Sequence, residues 1–162
     1  MGADGVNGSL KLEILVRHMP PSPYLQAVLA KLMVEAQFTS ADGDRAYYVE
    51  DATIAGAATT NIDLDAVTDA YGSALTATEV VLMAIVADAD NPDDIEIKPG
   101  AATGWIGLFE AGSVLNLRPG NAIFISALGT SIPVTAGSKI MALLNTDGAD
   151  PVTYSLLVVT KD

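Results

Sequence analysis

The fold of this chain is decided by one stretch, Glu79-Val-Val-Leu-Met-Ala-Ile-Val-Ala-Asp-Ala-Asp-Asn-Pro-Asp-Asp-Ile-Glu-Ile-Lys98. Its two apolar runs, 79–87 and 95–98, have the length of strands and are rich in Val and Ile, which favour extended backbone. The pair Asn91-Pro92 between them is typical of a turn. The stretch therefore predicts two β-strands joined by an acidic loop.

The same alternation of short apolar runs and turn residues extends in both directions from this stretch. No strand–helix–strand alternation is present beyond Arg45, so a parallel sheet is not expected. Many short strands at this spacing predict an all-β, antiparallel sandwich or barrel. The further predicted strands are Ala46–Ile54, Thr60–Leu64, Trp105–Phe109, Ser113–Leu117, Ala122–Leu128, Ile132–Val134, Ser138–Asn145 and Val152–Thr160.

The N-terminal segment has a different pattern. Residues 10–17 alternate apolar and charged side chains, which predicts a half-buried strand. The run Pro20-Pro21-Ser22-Pro23 ends that strand, because each proline ring fixes φ and removes a donor. Apolar residues then recur at helical spacing and predict a helix from about Pro23 to Gln37, with Ser22 as its N-cap. Because nearly every residue there is apolar or Ala, a strand is also compatible with the pattern.

Two corners of the β-rich part share one motif. Ile97-Lys-Pro-Gly100 and Leu117-Arg-Pro-Gly120 each place Pro and Gly at the two central positions of a turn. That order predicts two type II turns, since the third residue of such a turn needs a positive φ.

Composition limits the possible functions. Half of the 162 residues are apolar and 17% are charged, so a sizeable core can be buried. A net charge of -12 with scattered basic residues disfavours nucleic acid as a partner. The chain contains no cysteine, the first residues do not resemble a signal peptide, and no apolar run is long enough to span a bilayer. We expect a soluble protein made in the cytoplasm, with no membrane partner.

The acidic loop is the best candidate for a ligand site. Asp88, Asp90, Asp93 and Asp94 supply alternating oxygen side chains that could hold a weakly bound Ca²⁺. The loop lacks the glycine and the closing glutamate of an EF-hand, and solvated charge between two strands is the alternative interpretation.

Candidate catalytic groups are sparse. His18 is the only histidine and lacks a nucleophile motif nearby. Asp63, Asp65 and Asp69 could pair as acid and base carboxylates, but Asp63 and Asp65 are explained more simply as the polar face of an edge segment. Trp105 could be a sugar-stacking platform, although a core or interface anchor is the better interpretation. No phosphate-binding motif occurs. The sequence predicts a protein that is not an enzyme and needs no cofactor.

The C-terminal two-thirds contains a series of turn and strand motifs. The motifs are Asn61-Ile-Asp-Leu64, Thr68-Asp-Ala-Tyr-Gly72, Glu79-Val-Val-Leu-Met-Ala-Ile85, Ile97-Lys-Pro-Gly100, Gly104-Trp-Ile-Gly107, Leu117-Arg-Pro-Gly120, Val134-Thr-Ala-Gly137 and Val152-Thr-Tyr-Ser-Leu-Leu-Val158. Together they are similar to a pattern of structural proteins from tailed double-stranded DNA phages, and the likeness covers about residues 58–162.

This resemblance implies a jelly-roll-like β-sandwich at residues 58–162. Residues 1–57 lie outside the resemblance, and we interpret them as an N-terminal arm or second small layer that could reach neighbouring subunits. The resemblance implies a capsid decoration or cement protein on the virion surface, with the major capsid protein and further copies of itself, as a homotrimer, for partners. A minor tail or host-adsorption protein that binds carbohydrate is the alternative role.

Overall fold

The computed structural model describes residues 7–18, 28–39, 45–69, 72–107, 109–110, 112–126 and 131–161. These residues form strands and no helix, which confirms the all-β prediction. The strands are β1 Asn7–His18, β2 Val28–Thr39, β3 Arg45–Ile54, β4 Thr59–Asp63, β5 Glu79–Ala87, β6 Ile95–Pro99, β7 Leu115–Leu117, β8 Ala122–Ser126, β9 Ile132–Pro133, β10 Ile140–Asn145 and β11 Val152–Lys161.

Two antiparallel sheets pack as a sandwich. One has the strand order β4-β10-β6-β7, and the other has the order β3-β11-β5-β8, with β9 also paired to β5. Four pairs of strands are nested in sequence: β3 with β11, β4 with β10, β5 with β8, and β6 with β7. The outermost pair encloses the next one, as in a long hairpin whose two arms have been rolled into two sheets.

The core lies between the sheets and consists mainly of Ile, Leu and Val. Residues of β5 and β11 alternate towards it, so that Met83, Ile85, Leu156 and Val158 are buried on the same side of their sheet. Burying one such side chain contributes roughly 1.5–3 kcal/mol before the entropy of ordering the chain is subtracted. Only 6% of the residues are aromatic, which is consistent with a core of aliphatic side chains.

One polar side chain in the core ties together the loops at one end of the sandwich. Asn145 is 1% exposed, and its Nδ2 donates to the carbonyl oxygens of Ile54, Ala55 and Asp150 at 3.1, 3.2 and 2.8 Å. Its Oδ1 accepts a hydrogen bond from the backbone N–H of Asp147 at 2.9 Å. The end of β3 and the loop between β10 and β11 are therefore held by a single amide.

The N-terminal segment differs from the helical prediction. Residues 28–39 form β2, which pairs along its whole length with β1 in a separate two-stranded antiparallel sheet. The helix predicted from about Pro23 to Gln37 is therefore wrong for residues 28–37, and residues 23–27 lie outside the described part of the chain. The strand predicted at residues 10–17 is confirmed within β1.

The N-terminal limit of the sandwich also differs from the predicted boundary. β3 precedes residue 58 but pairs with β11 inside the five-stranded sheet, so this sheet begins at Arg45. A bulge near the middle of β3, where Asp51 has a φ of 50°, keeps the pairing with β11 on both sides.

The shared Pro-Gly motif forms two different structures. At Arg118–Asn121, Gly120 has a φ of 71° and the N–H of Asn121 donates to the carbonyl of Arg118, as predicted for a type II turn. At the other copy Pro99 ends β6, and the N–H of Gly100 donates to Ile140 of the neighbouring strand instead. The prediction of a second type II turn is therefore wrong, because the N–H of Gly100 is bound by the backbone of β10.

Candidate interaction surface

The four aspartates predicted to bind a cation lie in or beside the loop between β5 and β6, and two of them bind its backbone. Asp88 Oδ1 accepts from the N–H of Asp90, and Asp93 Oδ1 accepts from the N–H of Asp94, each at 2.8 Å. Across the described residues, no three His, Cys, Asp or Glu side chains are placed to hold a metal ion together. The structure does not assemble Asp88, Asp90, Asp93 and Asp94 into a cation site.

An amide fixes this loop to the sheet. Asn91 Nδ2 donates to the carbonyl of Thr153 at 2.8 Å, and the N–H of Thr153 donates to Asn91 Oδ1 at 2.7 Å. The side chain of Asn91 thus pairs with β11 as the backbone of a strand residue would. The loop shape is explained by this pair without a bound ion.

Trp105 is an anchor of the core. Its side chain is fully buried, and its indole Nε1 donates to the carbonyl oxygen of Pro133 at 3.0 Å. A buried ring cannot stack on a sugar, so the platform alternative is excluded and the core interpretation is confirmed. The strand predicted at 105–109 is absent over the described part of that range, because the N–H of Ile106 donates to the Ser138 hydroxyl rather than to a neighbouring strand.

The remaining candidate carboxylates have structural roles. Asp63 and Asp65 both bind Lys139 Nζ, at 3.1 and 3.4 Å, and the hydrogen bond that Lys139 donates to Asp63 is the main reason that the pKa of Lys139 is raised. Asp69 Oδ1 accepts from the N–H of Ser73 at 2.8 Å. His18 ends β1 opposite Val28, and its side chain is outside the described part.

An open cleft of about 260 Å³ lies beside β6 and β7. The one amine that lines it, on Lys98, already binds Glu96 at 3.1 Å. Gly104 forms part of its wall, where an added Cβ would lie 2.5 Å from the carbonyl oxygen of Gly100. Ile106 and Val114 are exposed at its mouth. The cleft is suited to a small apolar group and offers no free charged residue among those described.

An apolar surface belongs to the five-stranded sheet, on the side that faces away from the four-stranded sheet. We call this side the outer face. Pairing aligns Tyr48, Leu157, Ala84 and Phe124 in one row across β3, β11, β5 and β8. A second row contains Ser155, Val86 and Ala122. Tyr48, Val86 and Phe124 are 50%, 45% and 36% exposed, which is unusual for aromatic and aliphatic side chains that lie together on one sheet.

The outer face continues into a buried part. Val159 and Leu82 form the next row, and each is only 2% exposed. The three rows contain no charged side chain where they cross β11 and β5. Partial desolvation, followed by the charge of Glu50, raises the pKa of Tyr48, so its hydroxyl is neutral at physiological pH. The part of this face on β11 and β5 can bind another apolar surface without desolvating an ion.

Sequence reasoning did not identify the outer face, although a signal for it existed. The run Glu79–Ala87 is apolar at nearly every position rather than at alternate ones. A continuous apolar run is typical of a strand that is covered on both faces. The core accounts for one face of β5, and the other face is the surface described above.

Comparison with known proteins finds no matching family model, no similar curated protein and no similar solved structure. Among the described residues, no helix has the length and apolar character that crossing a membrane requires.

Proposed function

We propose that this protein is a structural component of a phage virion, a decoration or cement protein that binds the outside of the head and stabilises it. It acts by binding alone. The nested order of the strands is the observation that carries this proposal, together with the resemblance of residues 58–162 to phage structural proteins.

The nesting supports a jelly roll for the sandwich. In a jelly roll, eight strands form two four-stranded sheets through two Greek keys, and the architecture is common in viral capsid and lectin domains. Here the pairs β3–β11, β4–β10, β5–β8 and β6–β7 follow the order that rolling one long hairpin produces. The short β9 is an addition that pairs with β5.

The surfaces support a binding role. The outer face presents exposed apolar side chains on a rigid sheet, and the β1–β2 hairpin is a second element that pairs only with itself among the described strands. A two-stranded hairpin is at best marginally stable in water, so this one gains from packing on another surface. Each copy that bridges several shell subunits stabilises the assembled state by mass action.

The experiment uses empty, expanded phage heads that lack their decoration protein. The purified full chain should bind them to saturation at a fixed ratio to the major capsid protein and should raise the temperature at which they rupture. No binding, or binding without a rise in rupture temperature, would contradict the cement role.

Salt dependence provides a second measurement on the same heads. The net charge of -12 predicts slower association at high ionic strength if the shell surface is basic, since screening acts within about 8–10 Å. Apolar contacts should keep the bound copies in place once formed. Labelled protein found at the tail tip and absent from the head would transfer the assignment to host adsorption.

A further inference from the structure

We propose that the open edge of β8 is a docking site for an extended, apolar segment of another protein that carries no acidic residue. The segment adds to the five-stranded sheet as a further strand. This inference goes beyond the proposed function, because it assigns a surface on the sandwich and does not depend on the shell.

The hydrogen-bond pattern shows which backbone groups of β8 are unpaired. In an antiparallel pair, residues that bond to the partner strand alternate with residues whose N–H and C=O point away from it. The N–H of Ala87 donates to the carbonyl of Asn121 at 3.0 Å, so Asn121 and every second residue after it face β5. The N–H and C=O groups of Ala122 and Phe124 therefore point away from β5. Among the described strands β8 pairs with β5 alone, so no described strand binds these groups.

The other edge strands of the sandwich carry features that disfavour strand addition. β3 contains the bulge at Asp51 and the charged residues Arg45 and Glu50. β7 has only three residues, and in β4 the carbonyl oxygen of Asp63 already accepts from the N–H of Ala66 at 2.9 Å. Bulges, charges and short strands are the means by which native sheets avoid pairing at their edges. β8 has five residues, no charged side chain and an uninterrupted register with β5, so its edge lacks this protection.

The side chains of β8 favour an apolar strand as the occupant. Phe124 is 36% exposed at the end of the row that begins with Tyr48, and Ile123 and Ile125 are partly buried against the core. An added strand would place alternate side chains beside Phe124 on the outer face and beside the two isoleucines at the core. Strand addition takes its affinity from main-chain hydrogen bonds and its specificity from such alternate contacts.

Charge decides which kind of chain supplies the strand. The protein has a net charge of -12, so pairing two copies edge to edge would bring two strongly acidic molecules together. An acidic segment of another protein would meet the same repulsion. A neutral or basic segment of a different protein would not, and it is the occupant that we assign.

The first test uses a probe, a short synthetic peptide of alternating valine and threonine with lysine at both ends, and the full chain labelled for NMR. In the free protein, the amide protons of Ala122 and Phe124 should exchange rapidly with solvent. Saturating peptide should slow both at least about tenfold, because their N–H groups become hydrogen-bonded. The amides of Ile123 and Ile125, which face β5, should change little. Slow exchange at Ala122 and Phe124 without peptide would overturn the proposal, since the edge would already be covered.

Two controls separate strand addition from general adhesion. The same peptide, N-methylated at alternate residues, keeps its side chains but loses the donors that would face β8, and it should give no protection. Ala122→Pro removes an outward N–H and no bond to β5, so it should weaken peptide binding at least about tenfold, whereas Ala122→Val should not. Equal protection by the two peptides would refute strand addition, even if Ala122→Pro does not fold.

Charge and self-pairing are tested with the same reagents. A peptide with glutamate at both ends should bind more weakly than the lysine peptide at low salt, and equal or tighter binding would contradict the assigned partner. Self-association of the wild type that Ala122→Pro abolishes would give the edge to a second copy and overturn the proposal. These measurements omit the shell, so their failure together with normal shell binding would refute the docking site and leave the cement role intact.

Discussion

Replacing Asn145 with Asp should destabilise the sandwich strongly at neutral pH. The side chain keeps its shape and its acceptor for the N–H of Asp147, but it loses the two N–H groups that serve three carbonyl oxygens. The carbonyl of Ile54 keeps its pairing with Val152 of β11 but loses the hydrogen bond from Asn145, which costs about 0.5–1.5 kcal/mol. The two partly buried carbonyls add roughly 0.5–1.5 kcal/mol each, and charge burial adds to this sum.

The expected loss in the free energy of unfolding is therefore about 3 kcal/mol at pH 7. For a domain of this size that corresponds to a fall of about 6–12 °C in Tm. Urea unfolding followed by Trp105 fluorescence measures the loss, with Asn116→Asp as the control, since Asn116 is exposed on β7.

The pH dependence makes this prediction sharper. Burial and the facing carbonyl oxygens should raise the folded-state pKa of the new carboxyl above its unfolded value. A raised folded pKa gives a contribution to stability that is present below the unfolded pKa and lost as pH rises through the folded pKa. The deficit relative to wild type should thus shrink between pH 7 and pH 4. A loss below about 1 kcal/mol, or an equal loss at both pH values, would refute the assignment of Asn145 as the donor that joins these loops.

Three further outcomes follow from the described contacts. Gly104→Ala should lower the free energy of unfolding by about 1–3 kcal/mol, because the added Cβ would lie 2.5 Å from the carbonyl oxygen of Gly100. The control Gly137→Ala should not lower it, because the space around Gly137 is open. Chemical denaturation of the two variants measures the difference. The N–H groups of Asp150 and then Ala149 hold the pKa of Asp147 below its ordinary value, so Asp147 contributes stability that is present above the unfolded pKa and lost as pH falls through the folded one. Asp147→Asn should therefore show a smaller loss of stability than wild type between pH 5 and pH 2, and unchanged acid sensitivity would contradict this. Trp105 fluorescence should resist quenching by iodide and should not respond to sugars until the protein unfolds.

The strand formed by a continuous apolar run between turn residues was predicted best. The predicted bounds Glu79–Ala87 coincide with β5, because an apolar run between turn residues has few other conformations open to it. β2 was predicted as a helix because Leu25, Val28, Leu29 and Leu32 fit helical spacing as well as they fit a strand. Its conformation depends on pairing with β1 across the Pro-rich segment, and such pairing is not encoded in local spacing.

The candidate site was predicted less well than the fold. The aspartates of the acidic loop suggested a cation, but Asn91, which was noted only as a turn residue, determines how the loop is held. The outer face needed the register of four strands before Tyr48 and Phe124, far apart in sequence, could be placed in one row. Charge and motif are visible in a sequence, whereas an apolar surface becomes visible only when the strands are aligned.

The pairing of β3 with β11 sets a delay on folding during synthesis. The hydrogen bond from the N–H of Asp51 to the Ser155 hydroxyl joins residues 104 positions apart. At 5–20 residues per second, the ribosome needs roughly 5–20 s to add that much chain. Throughout that interval β3 and β5 lack the strand that lies between them, and the apolar run of β5 is open to pairing with other nascent chains. Aggregation of this protein during expression should therefore depend on the rate of translation, and slower synthesis should lengthen the vulnerable period.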